Sequence, residues 1–168
     1  ANTVKVYNGS IWASGSSGYE IQILVVAGGG GGGHQVGGGG GAGGVIYEPS
    51  FFVNSGTIYP VYVGYGGNGA YAINAPSYNG EDSWFGEFHV SRGGGGGGTD
   101  PESTTANAGG SGIVIIRYSG TPAATGGIIS QSGGYTIHTF TNTGTSTFAS
   151  NAKGTVDENA SANTLVTE

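Results

Sequence analysis

The stretch Ile21-Gln22-Ile23-Leu24-Val25-Val26-Ala27 runs directly into six glycines, Gly28–Gly33. Three other residues follow, then the run Gly37–Gly41, and a second apolar segment begins at Val45. A short apolar run bounded by glycine predicts a buried β-strand. A third glycine run, Gly93–Gly98, repeats the theme. The sequence therefore alternates strand-forming segments with backbone that carries no side chains.

Glycine runs of this kind have two interpretations. Ordering a backbone residue costs roughly 1–2 kcal/mol, so a glycine run stays a flexible linker unless other interactions compensate. Alternatively, the runs form extended three-fold helices that pack side by side, because only glycine fits where the helix axes are crowded. The runs contain almost no Ser, Gln or Pro and are flanked by strand-forming segments. This composition favours the packed helices.

The overall composition indicates a folded, acidic chain. Of 168 residues, 39 are Gly and 8% are charged, and the formal net charge is −6. Aromatic and β-branched residues are plentiful, which argues against disorder, and glycine does not recur every third residue as in collagen. Four Lys and Arg in total provide no basic face for nucleic acid. Without Cys or a long apolar run, we expect no disulfide, no Cys-ligated metal and no membrane insertion.

Turn signals and composition divide the chain into five segments. They are an N-terminal β arm (1–18), a glycine-rich core module (19–120), a linker (121–127), a C-terminal β element (128–150) and a polar C-terminal arm (151–168). The N-terminal arm is predicted from Asn8-Gly9, which lies between apolar residues and is a strong hairpin signal. In the core module, Glu48-Pro49 predicts the end of a short strand that begins at Val45.

Apolar residues nowhere recur convincingly at helical spacing, so almost no α-helix is expected. The strand-forming segments bury apolar side chains, and the glycine runs continue them. The sequence therefore predicts an all-β fold, a glycine-rich β-sandwich whose strands are continued by packed polyglycine II helices.

The residues that could carry chemistry form no recognisable catalytic or cofactor site. A Gly-x-Gly-x-x-Gly match lacks the helix that dinucleotide binding requires, and no Gly-Lys-Ser/Thr follows for a phosphate loop. His34, His89 and His138 have unrelated spacings, so we interpret them as packing residues rather than metal ligands. Glu81-Asp82 and Asp100-Pro101-Glu102 could hold Ca²⁺, but solvated turns fit them better. We expect no enzyme activity, no cofactor and no metal.

A cluster of aromatic residues occupies the middle third of the chain. Its members are Tyr59, Tyr62, Tyr65, Tyr71, Tyr78 and Trp84. Rigid aromatic side chains on loops give large contact areas at low entropy cost. Alternatively, most of them cover the glycine layer, which has no side chains of its own. Tyr71 and Tyr78 are the best candidates for receptor contact, together with the loop carboxylates Asp100 and Glu102.

Three motifs together resemble a known family. They are Ile23-Leu24-Val25-Val26-Ala27 with Gly28–Gly33, Gly80-Glu81-Asp82-Ser83-Trp84-Phe85-Gly86, and Gly110-Ser111-Gly112-Ile113-Val114-Ile115-Ile116-Arg117-Tyr118. Over roughly residues 19–150 the chain resembles the glycine-rich domain of tail-fibre and appendage proteins of marine and cyanobacterial bacteriophages. Related distal fibre adhesins contain layers of polyglycine helices. The resemblance implies a role on a virion surface or another extracellular structure, not a reaction.

The segment Gly133-Gly134-Tyr135-Thr136-Ile137-His138-Thr139-Phe140-Thr141 also resembles a hairpin of that family. In the family this hairpin usually precedes the strand that enters the glycines, whereas here it follows the module. One interpretation is that residues 128–150 dock on the next subunit, because an unpaired sheet edge accepts an added strand. The other is that they fold back on their own domain. The expected subunit contacts are Val4, Val6, Trp12, Tyr135, Ile137, Phe140 and Phe148.

Two functions remain open from the sequence. In the first, the protein is a structural subunit of a fibre or virion appendage, and its partners are copies of itself joined through the terminal β elements. Head-to-tail joining propagates as a filament unless rotation closes a ring. In the second, it is an adhesin whose loops 66–80 and 99–108 contact a cell-surface glycan or protein.

Overall fold

The structure is a computed structural model that describes residues 3–7, 12–34, 37–72, 75–90 and 106–152. This part of the chain contains β-strands and no helix, which confirms the predicted all-β class. The strands are β1 (Thr3–Tyr7), β2 (Trp12–Ser16), β3 (Gly18–Val26), β4 (Val45–Asn54), β5 (Ile58–Val63), β6 (Ser83–Phe85), β7 (Phe88–Val90), β8 (Ile113–Ser119), β9 (Ala124–Thr125), β10 (Ile128–Ser132), β11 (Tyr135–Phe140) and β12 (Gly144–Ser150).

Two five-stranded antiparallel sheets form a sandwich. The first sheet has the order β10-β11-β8-β3-β4, and the second has the order β7-β6-β5-β12-β9. β1 and β2 form a separate antiparallel pair in which Tyr7 lies opposite Trp12. The turn predicted at Asn8-Gly9 lies outside the described residues. The strands that enter the glycine runs, β3 and β8, are central in the first sheet.

The core lies between the two sheets and is built from alternate residues of facing strands. On β3, Ile21, Ile23 and Val25 are buried, and the residues between them are only partly covered. From the second sheet, Phe85 and Phe148 are fully buried and meet edge to face with their centroids 5.7 Å apart. Burial of every second residue is the pattern of an antiparallel sheet with one solvated face.

The strand predicted to end at Glu48-Pro49 continues to Asn54, so this prediction is wrong. Ile21 pairs with Phe51 but Ile23 pairs with Glu48, so β4 has one residue more than β3 at this point. β4 is an edge strand. Because an edge bulge leaves a residue unpaired, a proline without an N–H can be accommodated there. Pro49 therefore marks a β-bulge and not a strand end.

Residues 27–33 continue β3 as an extended helix whose hydrogen bonds repeat every three residues. One set of amides reaches segment 38–44, the next set reaches 78–81, and the third reaches 107–110. The donor–acceptor pairs are Ala27–Gly44, Gly30–Gly41, Gly33–Gly38, Gly28–Glu81, Gly31–Tyr78, Gly29–Gly110 and Gly32–Asn107, with N···O distances of 2.9 to 3.1 Å. A helix with three residues per turn directs its amides to three sides in this way.

A further segment, 64–70, completes what we call the polyglycine bundle, which comprises segments 27–33, 38–44, 64–70, 78–81 and 106–112. Gly67 and Ala70 donate to the carbonyl oxygens of Gly29 and Gly32, so 64–70 runs parallel to the central segment 27–33. Segments 106–112 and 78–81 also donate to 64–70. The glycine runs in the described part are therefore packed helices with lateral amide bonds, as the sequence predicts.

Glycine is required by contacts that follow the same three-residue period. A Cβ on Gly28 or Gly31 would collide with the carbonyl oxygen of Tyr65 or Asn68. A Cβ on Gly32, in contrast, would have its nearest neighbour 3.6 Å away, which is ordinary contact. Adjacent glycines of one run thus differ in whether a side chain fits.

The C-terminal β element, residues 128–150, joins both sheets of its own chain. β11 pairs with β8 in the first sheet, and β12 lies between β5 and β9 in the second. Its side chains Phe140 and Phe148 are 4% and 0% exposed. Residues 121–127, predicted as a linker, contain β9 and the buried side chain of Ala124.

His138, on β11, is a core residue in a hydrogen-bonded chain. Its Nδ1 lies 2.7 Å from the carbonyl oxygen of Gly126, so Nδ1 carries the proton. Its Nε2 accepts a hydrogen bond from the Tyr118 hydroxyl at 2.9 Å, and that hydroxyl accepts one from the Ala123 amide at 3.0 Å. Burial lowers the pKa of His138, and the Gly126 carbonyl partly opposes this.

We predict that acidification destabilises the protein through His138. Because the folded pKa of His138 lies below the ordinary value of about 6.5, its contribution to stability is fully present above pH 6.5. That contribution is lost as the pH falls from about 6.5 through the folded pKa, because the unfolded chain is protonated first. Protonation would also direct a second donor at the Tyr118 hydroxyl. Denaturant unfolding between pH 7.5 and 5 should show a falling free energy of unfolding with a slope up to about 1.4 kcal/mol per pH unit. His138→Gln should flatten this slope; an unchanged slope would contradict the assignment.

Two neighbouring glycines should respond oppositely to alanine. Gly31→Ala places a methyl group against the Asn68 carbonyl and should lower the free energy of unfolding by about 1–3 kcal/mol or more. Gly32→Ala meets only ordinary contacts and restricts the unfolded chain, so it should raise stability by about 0.4–1 kcal/mol. Denaturant unfolding of both variants measures the difference. If the two variants changed the free energy of unfolding equally, residues 31 and 32 would not face different surroundings, which would contradict this packing of the helices.

Candidate functional site

Tyr59, a member of the aromatic cluster, packs against the core between the two sheets. The ring of Tyr59 stacks on Phe85 with centroids 5.4 Å apart and meets Phe51 edge to face at 6.2 Å. Its hydroxyl accepts a hydrogen bond from the Asn54 amide at 2.9 Å. Tyr59 therefore joins the two sheets and does not cover the glycine layer, which was the alternative considered above.

Tyr62 and Trp84 form a flat pair on the outer face of the second sheet. Their rings are parallel within 6° and their centroids are 4.1 Å apart. The Tyr62 hydroxyl donates to Oε2 of Glu81 at 2.7 Å, and this bond to a carboxylate raises the pKa of the Tyr62 phenol. The pair borders segment 78–81, so it connects the sheet to the polyglycine bundle.

Tyr71 and Tyr78 are the exposed members of the cluster that the sequence singles out. They are 70% and 53% exposed. The backbone of Tyr78 is held by the bundle, because its amide donates to the Asn68 carbonyl and its carbonyl accepts from the Gly31 amide. Tyr71 directly follows Ala70, the last residue of segment 64–70. Rigid placement of the Tyr78 backbone lowers the entropy cost of binding through its ring. Asp100 and Glu102, the other predicted receptor contacts, lie outside the described residues.

The predicted subunit contacts occupy different environments. Val4 and Val6 lie on β1 and Trp12 on β2, in the pair that forms its own small sheet. Tyr135 and Ile137 lie on β11, and the guanidinium of Arg117 sits 4.6 Å from the centre of the Tyr135 ring. Phe140 and Phe148 are in the core of their own chain. In the single chain, Tyr135 and Ile137 are therefore the more accessible members of the C-terminal set.

A groove of about 470 Å³ opens on one side of the polyglycine bundle, and sequence reasoning did not predict it. Gly29 and Gly32 form its floor, segment 37–42 forms one wall, and segment 106–110 forms the other. We call it the bundle groove. Asn107 is the most polar residue of the lining, which otherwise contains glycine and alanine. In a pure glycine run every position looks alike, so no signal in the sequence could indicate which residues face it.

The metal and membrane predictions concern residues that the structure covers only in part. His34 is 7% exposed, and its Nδ1 has no hydrogen-bond partner in the described part of the chain. Within the described ranges, no three His, Asp or Glu side chains come close enough to hold a metal ion. The same ranges contain no helix that could cross a membrane.

Comparison with known proteins identifies the family. Neither the curated proteins nor the solved structures contain a match to the chain. A family model described as a glycine-rich domain matches residues 5–165. That match spans nearly the whole sequence, including the glycine runs and the C-terminal β element. The chain therefore belongs to the glycine-rich domain family.

Proposed function

We propose that the protein is a structural subunit of an extracellular fibre or virion appendage of the phage tail-fibre type, and that its partners are copies of itself. The observation that supports this most strongly is the polyglycine bundle. Strands of both sheets run into helices whose backbones are bonded to one another. Such a bundle is rigid without a large hydrophobic core, and rigidity over length is what a fibre subunit needs.

The chemistry of the described surface also favours a structural role over a reaction. The bundle groove is lined by glycine, alanine and one asparagine, so it offers no side chain that could act as a general acid, base or nucleophile. In the core, His138, whose pKa is lowered by burial, is hydrogen-bonded to Gly126 and Tyr118. The hydrogen bonds of His138 stabilise the core, and the lining of the bundle groove contains no side chain suited to catalysis.

Assembly through the terminal β elements is supported by the place of residues 128–150 in both sheets. The element contributes β10 and β11 to one sheet and β12 to the other, so a sandwich lacking it has open edges at β8 and β5. The same element supplied by a neighbouring copy would form the same contacts. Exchange of this kind joins subunits head to tail at low cost in new contacts.

Engineered cysteines can distinguish exchange from closure within one chain. Ile115 and Thr139 are paired across β8 and β11 on the outer face. In the variant Ile115→Cys/Thr139→Cys, oxidation should give a ladder of covalent oligomers if the element is exchanged, because the paired residues then belong to different copies. Non-reducing electrophoresis measures this, and electron microscopy of the wild type should show fibres or rings.

A matched control comes from a pair that cannot be exchanged with the C-terminal element. Leu24 and Tyr47 are paired across β3 and β4. Leu24→Cys/Tyr47→Cys should oxidise only within one chain. A ladder from the control, or only intrachain bonds from the test pair together with discrete monomers in the microscope, would contradict assembly by exchange.

A second candidate function, receptor binding, is favoured by one observation, the exposure of Tyr71 and Tyr78 beside the hydrogen-bonded backbone of the bundle. Exposed tyrosines that are held rigidly are typical of binding surfaces. They lie in the loop 66–80 that the sequence assigns to receptor contact. An adhesin role is compatible with a fibre role, because a fibre subunit can carry a receptor-binding loop.

Removing both rings tests the adhesin role. Tyr71→Ala/Tyr78→Ala should weaken binding of the protein to host bacterial cells at least about tenfold, as loss of binding hot spots does. Tyr47→Ala, at a residue that is 57% exposed on edge strand β4, is the matched control and should bind normally. Binding of labelled protein to a panel of bacterial cells measures both. Equal binding by the double variant and the wild type would reject the role.

A further inference from the structure

The bundle groove has the geometry of a missing helix. Around the central segment 27–33, segments 38–44, 78–81, 64–70 and 106–112 each occupy one side. Gly29 and Gly32, three residues apart, both turn toward the gap between 38–42 and 106–110. On the opposite side the equivalent residues Gly28 and Gly31 turn toward the helix 64–70. The groove is thus a position in the packing where another helix of the same kind would fit.

The floor of the groove presents carbonyl oxygens. The Gly29 amide reaches Gly110 while its carbonyl accepts from Gly67, so amide and carbonyl of one residue point to neighbouring sides of the helix. By the same rotation, the carbonyls of Gly30 and Gly33, whose amides reach segment 38–44, point into the groove. The Gly30 oxygen accordingly lies beside both walls, near the Cβ positions of Gly40 and Gly109.

The walls of the groove present amides. Asn107 and Gly110 use their carbonyls to accept from the central segment, while the Gly109 amide reaches Gly67 on the far side. The three-fold turn therefore directs the amides of Asn107 and Gly110 toward the groove. On the other wall, segment 37–42, the same geometry directs the amide of Gly40 toward the groove. None of these amides, and neither floor carbonyl, bonds to a partner among the described residues.

We propose that the bundle groove binds a polyglycine II strand from a second copy of this chain, supplied by its run Gly37–Gly41. Residues 38–41 of that run are exposed on each copy, so the occupant is available on the surface. Bound in the groove, the strand donates to the carbonyls of Gly30 and Gly33 and accepts from the amides of both walls. The groove acts as an open edge of the bundle, as an unpaired strand does in a sheet.

Only a strand with glycine at the contact positions can make these bonds. Within the bundle, added Cβ atoms at positions that face a neighbouring helix would strike its backbone, as at Gly40 against Gly30. The groove therefore selects a glycine run and rejects ordinary extended peptides. In each copy one face of segment 37–42 lines that copy's own groove, and the inserted strand uses the opposite, exposed face of the run. Because these two faces differ, the contact is heterologous and repeats from copy to copy.

This inference rests on the proposed self-assembly and adds a lateral contact to it, one that is separate from exchange of the C-terminal element. Loss of the lateral contact in the groove does not prevent exchange of the C-terminal element, and loss of exchange does not prevent the lateral contact. A groove variant that loses lateral association can still form the disulfide ladder of Ile115→Cys/Thr139→Cys. A protein that forms no ladder can still associate through the groove.

Filling the groove tests the proposal. In Gly32→Val the Cβ meets its neighbours at ordinary contact distance, and the two methyl groups should fill the groove and block the inserted strand while the fold is kept. Sedimentation from about 10 μM to about 1 mM, the range expected for a small interface, should show association of the wild type and at least a tenfold weaker association of Gly32→Val. Ser111→Val, an exposed change beyond the groove, is the control and should associate as the wild type does. Unfolding by denaturant verifies that each variant is folded.

Amide hydrogen exchange identifies the occupant. The amides of Gly40, Asn107 and Gly110 should exchange rapidly in dilute monomer and become at least tenfold slower when the protein associates. Protection already present in the monomer would show that another part of the same chain fills the groove and would overturn the proposal. A wild type that stays monomeric at the highest concentration, or a Gly32→Val variant that associates normally, would also overturn it.

Discussion

Lateral hydrogen bonding of segment 27–33 is the constraint on which the rest of the structure depends. Glycine loses more conformational freedom on folding than any other residue, and it buries no side chain in return. The compensation here is that each amide from Ala27 to Gly33 donates to a neighbouring backbone. A buried amide without a partner would be costly, so the segment is stable only when its neighbours are in place.

The strand register of the β-sandwich aligns the segments that surround residues 27–33. Val26 pairs with both Val45 and Ile113, so the segments before β4 and before β8 leave the sheet level with the one that follows β3. At the junction with the second sheet, the buried Ser83 hydroxyl accepts a hydrogen bond from the Gly64 amide at 2.9 Å. A slip of one residue would turn every side chain of a strand to the other face, and it would also turn a three-fold helix by one side. The sandwich core and the bundle are therefore set by one register.

The same arrangement is the basis of the proposed structural function. The apolar side chains form the core of the sandwich. The bundle extends the sandwich with glycine segments that are joined by lateral backbone hydrogen bonds. Under the proposed lateral contact, the bundle groove would select a second glycine backbone, whereas reaction chemistry would need ionisable side chains that this groove lacks. The C-terminal element has a similar character, because its strands complete both sheets and would do so equally in a neighbouring copy.

Local signals in the sequence determined much of the fold. The strand β3, the hairpin turn at Gly133 and Gly134, which both have positive φ, and the absence of helix from the described part all follow from residue type. The alternate burial along β3 does not, because Leu24 and Val26 are as apolar as their buried neighbours but only partly covered. The packing of glycine runs could also be predicted, because strands flank them. Pro49 was misread, since the sequence shows that a proline lacks an N–H but not whether its strand lies at an edge with a bulge.

Only the tertiary structure decided which glycines pack against another backbone and which face the groove. Gly31 abuts another backbone and Gly32 faces a groove, although their local sequences are the same. It likewise placed Phe140 and Phe148 in the core of their own chain, and separated Tyr59, which packs between the sheets, from exposed Tyr71. The physical reason is that a residue without a side chain has no preference of its own. Its role is assigned by the neighbours that the strand register brings alongside it.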